Sequence, residues 1–316
     1  MQDIIEEFAN NLGKITGLPV QSGDIVLTWI ETFSGLPPNA FMKPYYASKT
    51  NRNYVSIASA FIRKTKTRPP PELMSKVVQY VTAEVLMLWI KTFSELPPTE
   101  FMNEYYKHYN SSYYIDIVSK FIRKTKTRPP PELMSKLVNQ IRLINSKFII
   151  TWIETFSELP PADIMRPYYA NKHDYLDIVL SFILKTRSKP PRELISKMCD
   201  WSQLRDFNQL REIILSWIEI FSELPPNEFF RQCYDTHHMN INFTFIALKF
   251  IQKTKTRPSQ ELMQIVAMTI SFLSDNFVSE LYEAWIEIFS ELPPEIILNH
   301  TKRNLILEKT VFQNIK

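Results

Sequence analysis

The stretch Trp29-Ile30-Glu31-Thr32-Phe33-Ser34-Gly35-Leu36-Pro37-Pro38 decides the fold, because near-copies of it begin at Trp89, Trp152, Trp217 and Trp285. A second phrase runs from Phe61 through Arg63-Lys64-Thr65-Lys66-Thr67-Arg68 to Met74, recurs letter for letter from Phe121, and returns with changes from Phe182 and Phe250. The tryptophans are about 60 to 68 residues apart and the second phrase sits midway between them. Both phrases share one grammar: an aromatic-Ile pair, six residues, a proline pair, then an apolar pair, as in Trp29-Ile30, Pro37-Pro38, Phe41-Met42 and Phe61-Ile62, Pro69-Pro70, Leu73-Met74. The repeating unit is therefore roughly 28–35 residues, punctuated at Pro37, Pro69, Pro97, Pro129, Pro160, Pro190, Pro225, Pro258 and Pro293.

Proline lacks an N–H and fixes φ, so it ends the helix before it and fits the first turn of the helix after it. Glu72, Glu132, Glu193 and Glu261 follow the prolines, where a carboxylate suits the helix dipole. Each unit thus predicts two helices: an A helix after the prolines, as from Pro71 to about Gln79, and a B helix before the next ones, about Ala83 to Leu96. In the B helix Val85, Leu86, Leu88, Trp89, Ile90 and Phe93 recur at three-to-four-residue intervals, an apolar face broader than one hairpin can bury. Stacked hairpins can bury it. The expectation is an all-α protein, an α-solenoid of about eight to nine helical-hairpin repeats with alternating acidic and basic junctions. Residues 25–294 would be the repeat domain, 1–24 a degenerate N-terminal cap helix and 295–316 a C-terminal cap helix.

Composition agrees. With 316 residues, 45% apolar and 13% aromatic, the chain can bury a large core. The net charge of +4 is a mild excess, so the placement of charge matters more than its sum. All four glycines (Gly13, Gly17, Gly23, Gly35) precede residue 36, which removes from the rest of the chain the Gly-dependent phosphate loops, dinucleotide fingerprints and nucleophile elbows. Cys199 and Cys233 are too few for a disulfide framework and point to a reducing, cytoplasmic compartment. Cys233, His237 and His238 lack a second Cys/His pair at zinc spacing, so no metal is expected, and neither a cofactor nor a small-molecule substrate. The acidic, amphipathic start Met1–Phe8 lacks a basic leader region, and no apolar run reaches bilayer length. No membrane partner is expected and no catalytic residue is assigned.

At Leu159-Pro160-Pro161 and Pro70-Pro71-Glu72-Leu73-Met74 the chain resembles the octatricopeptide family of helical-hairpin repeats, from about Ile25 to Pro294. It departs from that pattern in its shorter unit and in lacking the junction glycine after Gly35. The resemblance implies an RNA-binding helical-repeat protein; separately, the sequence has no His-Glu-x-x-His, Gly-x-Ser-x-Gly or Walker pattern, so no enzyme is expected.

The residues themselves offer a basic series. Arg63, Lys64, Lys66 and Arg68, their copies Arg123, Lys124, Lys126 and Arg128, then Lys185, Arg187 and Lys189, then Lys253, Lys255 and Arg257 are candidate phosphate contacts. Acidic junctions alternate with them, carrying Glu31, Glu95, Glu154, Glu158, Glu219, Glu223, Glu287 and Glu291 beside one lysine, Lys91. Fourteen cations against eight glutamates and that lysine leave seven net positive charges, so a phosphate track competes evenly with a self-paired, solvated edge.

Candidate base contacts occupy a variable A-helix slot: Lys43, Asn103, Arg166 and Arg231 in one unit type, Ser75, Ser135, Ser196 and Gln264 in the other. Any exposed helix position also looks polar and variable, so readout is the less favoured of the two explanations. The pairs Tyr45-Tyr46, Tyr105-Tyr106 and Tyr168-Tyr169 could stack on bases, but an aromatic at a fixed place in each copy is more often core, as are the repeated tryptophans. The expected function is single-stranded RNA binding. The alternative is a protein-interaction scaffold, such as a secreted effector of an intracellular bacterium working in a host cell.

Overall fold

The computed structural model describes residues 23–47, 53–108, 113–139, 144–171, 175–199, 207–231, 242–270 and 275–301, with isolated positions among the first fourteen. Every regular element among them is helical. They form two compact units, Met1–Ile144 and Asn145–Lys316.

The first unit contains α1 (Gly23–Phe33), α2 (Asn39–Ala47), α3 (Tyr54–Thr65), α4 (Pro71–Val77) with a 3-10 turn (Val78–Tyr80), α5 (Ala83–Phe93), α6 (Thr99–His108), α7 (Tyr113–Thr125) and α8 (Pro131–Val138). The B helices α1, α3, α5 and α7 stack each on the next, while α2 packs on α4 and the 3-10 turn on α6. That is a two-row stack in which sequence neighbours once removed are spatial neighbours, the geometry of helical repeats. The second unit contains α9 (Ser146–Phe156), α10 (Ala162–Asn171), α11 (Leu176–Thr186), α12 (Arg192–Met198), α13 (Phe207–Phe221), helical residues 227–231, α14 (Phe243–Thr254), α15 (Gln260–Ile270), α16 (Asp275–Phe289) and α17 (Glu295–Thr301). There α9, α11, α13, α14 and α16 form the long row, and α15 packs on α17.

The core is the repeated apolar face. Ile30, Ile62, Ile90, Ile122, Ile153, Ile183 and Ile251 are wholly buried, each placed just before the end of its B helix. Burying such a side chain contributes about 1.5–3 kcal/mol. Trp89, Trp152, Trp217 and Trp285 are 2–3% exposed and sit edge-on to Phe93, Phe156, Phe221 and Phe289 one turn later, so these four belong to the core as expected, whereas Trp29 is only half-buried.

The B helices end earlier than the prolines alone imply. α5 stops at Phe93 rather than Leu96, because Ser94 adopts a left-handed backbone and its N–H donates to the Ile90 carbonyl. The same cap closes nine B helices among the described residues: Ser34, Lys66, Ser94, Lys126, Ser157, Arg187, Ser222, Lys255 and Ser290 have φ between 53° and 59°, each bonding the isoleucine carbonyl four residues back. This orphan-satisfying cap ordinarily favours glycine. Here serine fills it in acidic junctions and a cation in basic ones, where positive charge also suits the helix C-terminus. In the basic junctions a threonine stitch holds the turn: Thr65 Oγ1 donates to the Phe61 carbonyl and accepts from the Thr67 N–H, with the same pairs of bonds at Thr125, Thr186 and Thr254.

The A helices begin on proline as predicted. Pro70 and Pro130 are N-caps with Pro71 and Pro131 in the first turn, and Pro191 caps α12. Of the two cap helices expected at the ends, Glu295–Thr301 is helical; residues 302–316 and most of 1–22 lie outside the described residues.

Candidate nucleic-acid interface

All fourteen candidate phosphate contacts are exposed at the ends of α3, α7, α11 and α14. Five of them are already engaged by the acidic junctions beside them. In the first unit Lys64 Nζ lies 3.6 Å from Glu31 on one side, and Arg68 Nη2 lies 2.8 Å from Glu95 on the other. The second unit repeats both rungs: Lys253 reaches Glu219 at 2.7 Å, and Arg257 reaches Glu291 at 2.9 Å. Lys189 reaches Glu223 at 2.8 Å. Arg128 also has an interaction of its own.

The rule is simple. Where these rungs form, the glutamate after Trp-Ile takes the cation two residues before the next cap, and the glutamate after the serine cap takes the cation just before the preceding prolines. The second glutamate is held from below too, since Trp89 Nε1 donates to Glu95 and Trp217 Nε1 to Glu223, each at 3.3 Å. Exposed rungs of this kind contribute roughly 0–1 kcal/mol apiece. Their consequence is that the self-paired edge accounts for part of the basic series.

Eight cations form no salt bridge within the described residues: Arg63, Lys66, Arg123, Lys124, Lys126, Lys185, Arg187 and Lys255. Four of these, Lys66, Lys126, Arg187 and Lys255, are the left-handed caps, so each basic junction presents one at the same structural position.

The eight candidate base contacts, Lys43, Asn103, Arg166, Arg231, Ser75, Ser135, Ser196 and Gln264, are all exposed on the A row. Some have local uses. Ser75 and Ser135 Oγ donate to the carbonyls of Glu72 and Glu132 at 2.8 Å, and Arg231 Nη2 pairs with Glu261 of α15 at 3.2 Å. Gln264 lines a cavity of about 410 Å³ together with Arg257, Met263, Trp285 and Glu291.

The tyrosine pairs are chiefly core. Tyr45, Tyr105 and Tyr168 are 0% exposed, and Tyr46 and Tyr106 half-buried. A third tyrosine, at the start of the next B helix, completes each cluster: Tyr54, Tyr114 and Tyr175 meet their pairs at ring-centroid distances of 5.5–6.3 Å. Tyr54 Oη donates to the Tyr45 carbonyl and Tyr175 Oη to that of Tyr169, each at 3.2 Å. Burial, with Glu72 beside Tyr46 and Glu193 beside Tyr169, pushes both phenols up to about 12. Lys136 sits 5.4 Å over the Tyr106 ring.

One feature escaped the sequence reading. Between α5 and α7 lies a groove of about 370 Å³ lined by Met87, Lys91, Asp116, Ser119, Lys120, Arg123 and Lys124. Lys120 belongs to no motif, and the signal that marks it is a departure from the neighbouring copy, which has Ala60 at the matching place.

The Cys199 thiol is half-buried, and burial pushes it up to about 11. Cys233, His237 and His238 lie outside the described residues, and no cluster of metal-ligating side chains occurs among the described ones. No described helix is long and apolar enough to cross a membrane. No family model, curated protein or solved structure matches this chain.

Proposed function

We propose that the chain is a non-catalytic helical-repeat protein that binds single-stranded RNA by its phosphates, through the junction cations that no glutamate occupies. The observation that carries this reading is the cap series: Lys66, Lys126, Arg187 and Lys255 hold one position in every basic junction, exposed and outside the salt-bridge rungs. Serine fills the same left-handed turn in the acidic junctions, so the turn itself does not demand a cation, and the helix C-terminus accounts for only part of the preference for one at all four basic places. Lys and Arg at regular intervals displace counterions from a polyphosphate without reading its sequence. The variable A-row positions Lys43, Asn103, Arg166 and Gln264 supply hydrogen-bonding groups for any base preference.

The test is binding of fluorescent single-stranded RNA, double-stranded RNA and single-stranded DNA over a salt series, with a variant carrying glutamine at Lys66, Lys126, Arg187 and Lys255. Four lost contacts lower the slope of log K against log salt by about 2.8 on single strands. Equally weak binding by both proteins overturns the proposal. A partner captured from lysate that survives nuclease treatment would then favour the protein-scaffold alternative.

A further inference from the structure

Among the described residues, the groove between α5 and α7 is the place where a lysine stands where the rungs have a glutamate. In the first copy Glu31 takes Lys64, and in a later one Glu219 takes Lys253. At the matching position after Trp89-Ile90 stands Lys91, which lines the same groove as Lys124, the counterpart of Lys64. Two like charges therefore replace a salt bridge.

The next difference points the same way. The phrase from Phe121 copies that from Phe61 letter for letter, yet the residue just before it is Ala60 in one and Lys120 in the other, and Lys120 lines the groove. Asp116, Lys120, Arg123 and Lys124 follow at helical spacing on one face of α7, so the four cations Lys91, Lys120, Arg123 and Lys124 converge against the single carboxylate of Asp116. The groove carries three net positive charges. By the same register the first copy places Leu27, Glu31, Ser56, Ser59, Ala60, Arg63 and Lys64 there, with one net positive charge.

We infer that this groove is a phosphate-binding site, taking a dianionic or oligoanionic phosphate group across α5 and α7. A bound anion relieves the mutual repulsion among the four cations beyond what Asp116 does, and walls of low dielectric around a cleft focus that field. Met87 and Ser119, the latter 6% exposed, form part of its wall. The volume is within the range of small-ligand sites, roughly 300–1,000 Å³, but the lining is cationic where those are mostly apolar. The inference rests on the RNA reading only for the source of the phosphate.

Two probes separate those sources: inorganic tripolyphosphate by titration calorimetry, and a labelled oligouridylate by anisotropy. The variant is Lys91→Glu with Lys120→Ala, which restores the residues of the first copy and hence a rung the fold already tolerates. Lys147→Glu with Lys76→Ala matches its charge change elsewhere. We expect the groove variant to weaken tripolyphosphate binding by about tenfold or more, as charge-assisted contacts are lost, and the control to retain it. Equal binding by groove variant and control, or no binding of tripolyphosphate by the unaltered protein, overturns the site. Tripolyphosphate binding lost in the groove variant while oligouridylate binding is unchanged keeps the site and assigns its phosphate to a small molecule rather than to RNA. Tripolyphosphate binding lost in the variant, with no RNA bound by either protein, keeps the site and removes the track.

Discussion

If RNA uses the junction cations, the acidic rungs compete with it, and removing them should strengthen binding. Glu31 holds Lys64 at 3.6 Å and Glu95 holds Arg68 at 2.8 Å, both pairs in the first unit and both exposed. Glu31→Gln with Glu95→Gln removes two negative charges, frees two cations, and keeps an amide oxygen for the Trp89 indole now bonded to Glu95. Each phosphate contact on a single strand changes the salt slope by about 0.7, so two freed cations steepen it by about 1.4. Extrapolated from 1 M to about 0.15 M salt, each contact is about fourfold in affinity, and the pair about fifteenfold. Stability should hardly suffer, since two exposed rungs contribute at most about 2 kcal/mol together. Anisotropy of labelled single-stranded RNA over a salt series measures slope and affinity at once, with circular dichroism confirming the fold. An unchanged slope in a folded double variant would refute the idea that these cations meet phosphate.

Replacing the left-handed caps by glycine should stabilise the protein. At Ser94, Ser157 and Ser222 glycine relieves a strain of about 1–2 kcal/mol, offset by its greater freedom in the unfolded chain, about 0.5–1 kcal/mol, so each change raises the unfolding free energy by about 0.5–1 kcal/mol. Denaturant midpoints check this, and a lowered midpoint would contradict the assigned cap. At alkaline pH the tyrosine clusters should unfold the chain. Tyr46, Tyr114 and Tyr169 are pushed up to about 12 in the fold from an ordinary 10, so their contribution is complete below pH 10 and is lost as pH rises toward 12. Tyrosinate absorbance should rise together with loss of helix; ionisation well before unfolding would argue against their burial.

The architecture was legible because a proline pair marks nearly every unit and a tryptophan every second one. Pro70-Pro71 states where α4 begins, and Trp89-Ile90 states which face of α5 is buried. The end of α5 was not legible, because the left-handed turn at Ser94 leaves no glycine to announce it. The alternation of charge was visible, but a sum of charges has no geometry. Only the stacking of α1 on α3 and α3 on α5 shows that Glu31 and Glu95 flank one basic junction and take one cation each. The tyrosine clusters were half legible: Tyr45-Tyr46 stands out as a pair, whereas Tyr54 begins the next helix and joins it only by folding. Lys120 was invisible to motif reading for the opposite reason, since it is what the repeat does not share.

The rungs also constrain how such a gene can change length. A basic junction has acidic neighbours on both sides, so a copying error that dropped a single hairpin would set two junctions of one sign against each other and leave their partners unmatched. Loss or gain of two hairpins together restores the alternation. The heritable module is thus the double hairpin spanned by successive tryptophans, from Trp29 to Trp89, and the chain should lengthen or shorten in steps of about 60 residues.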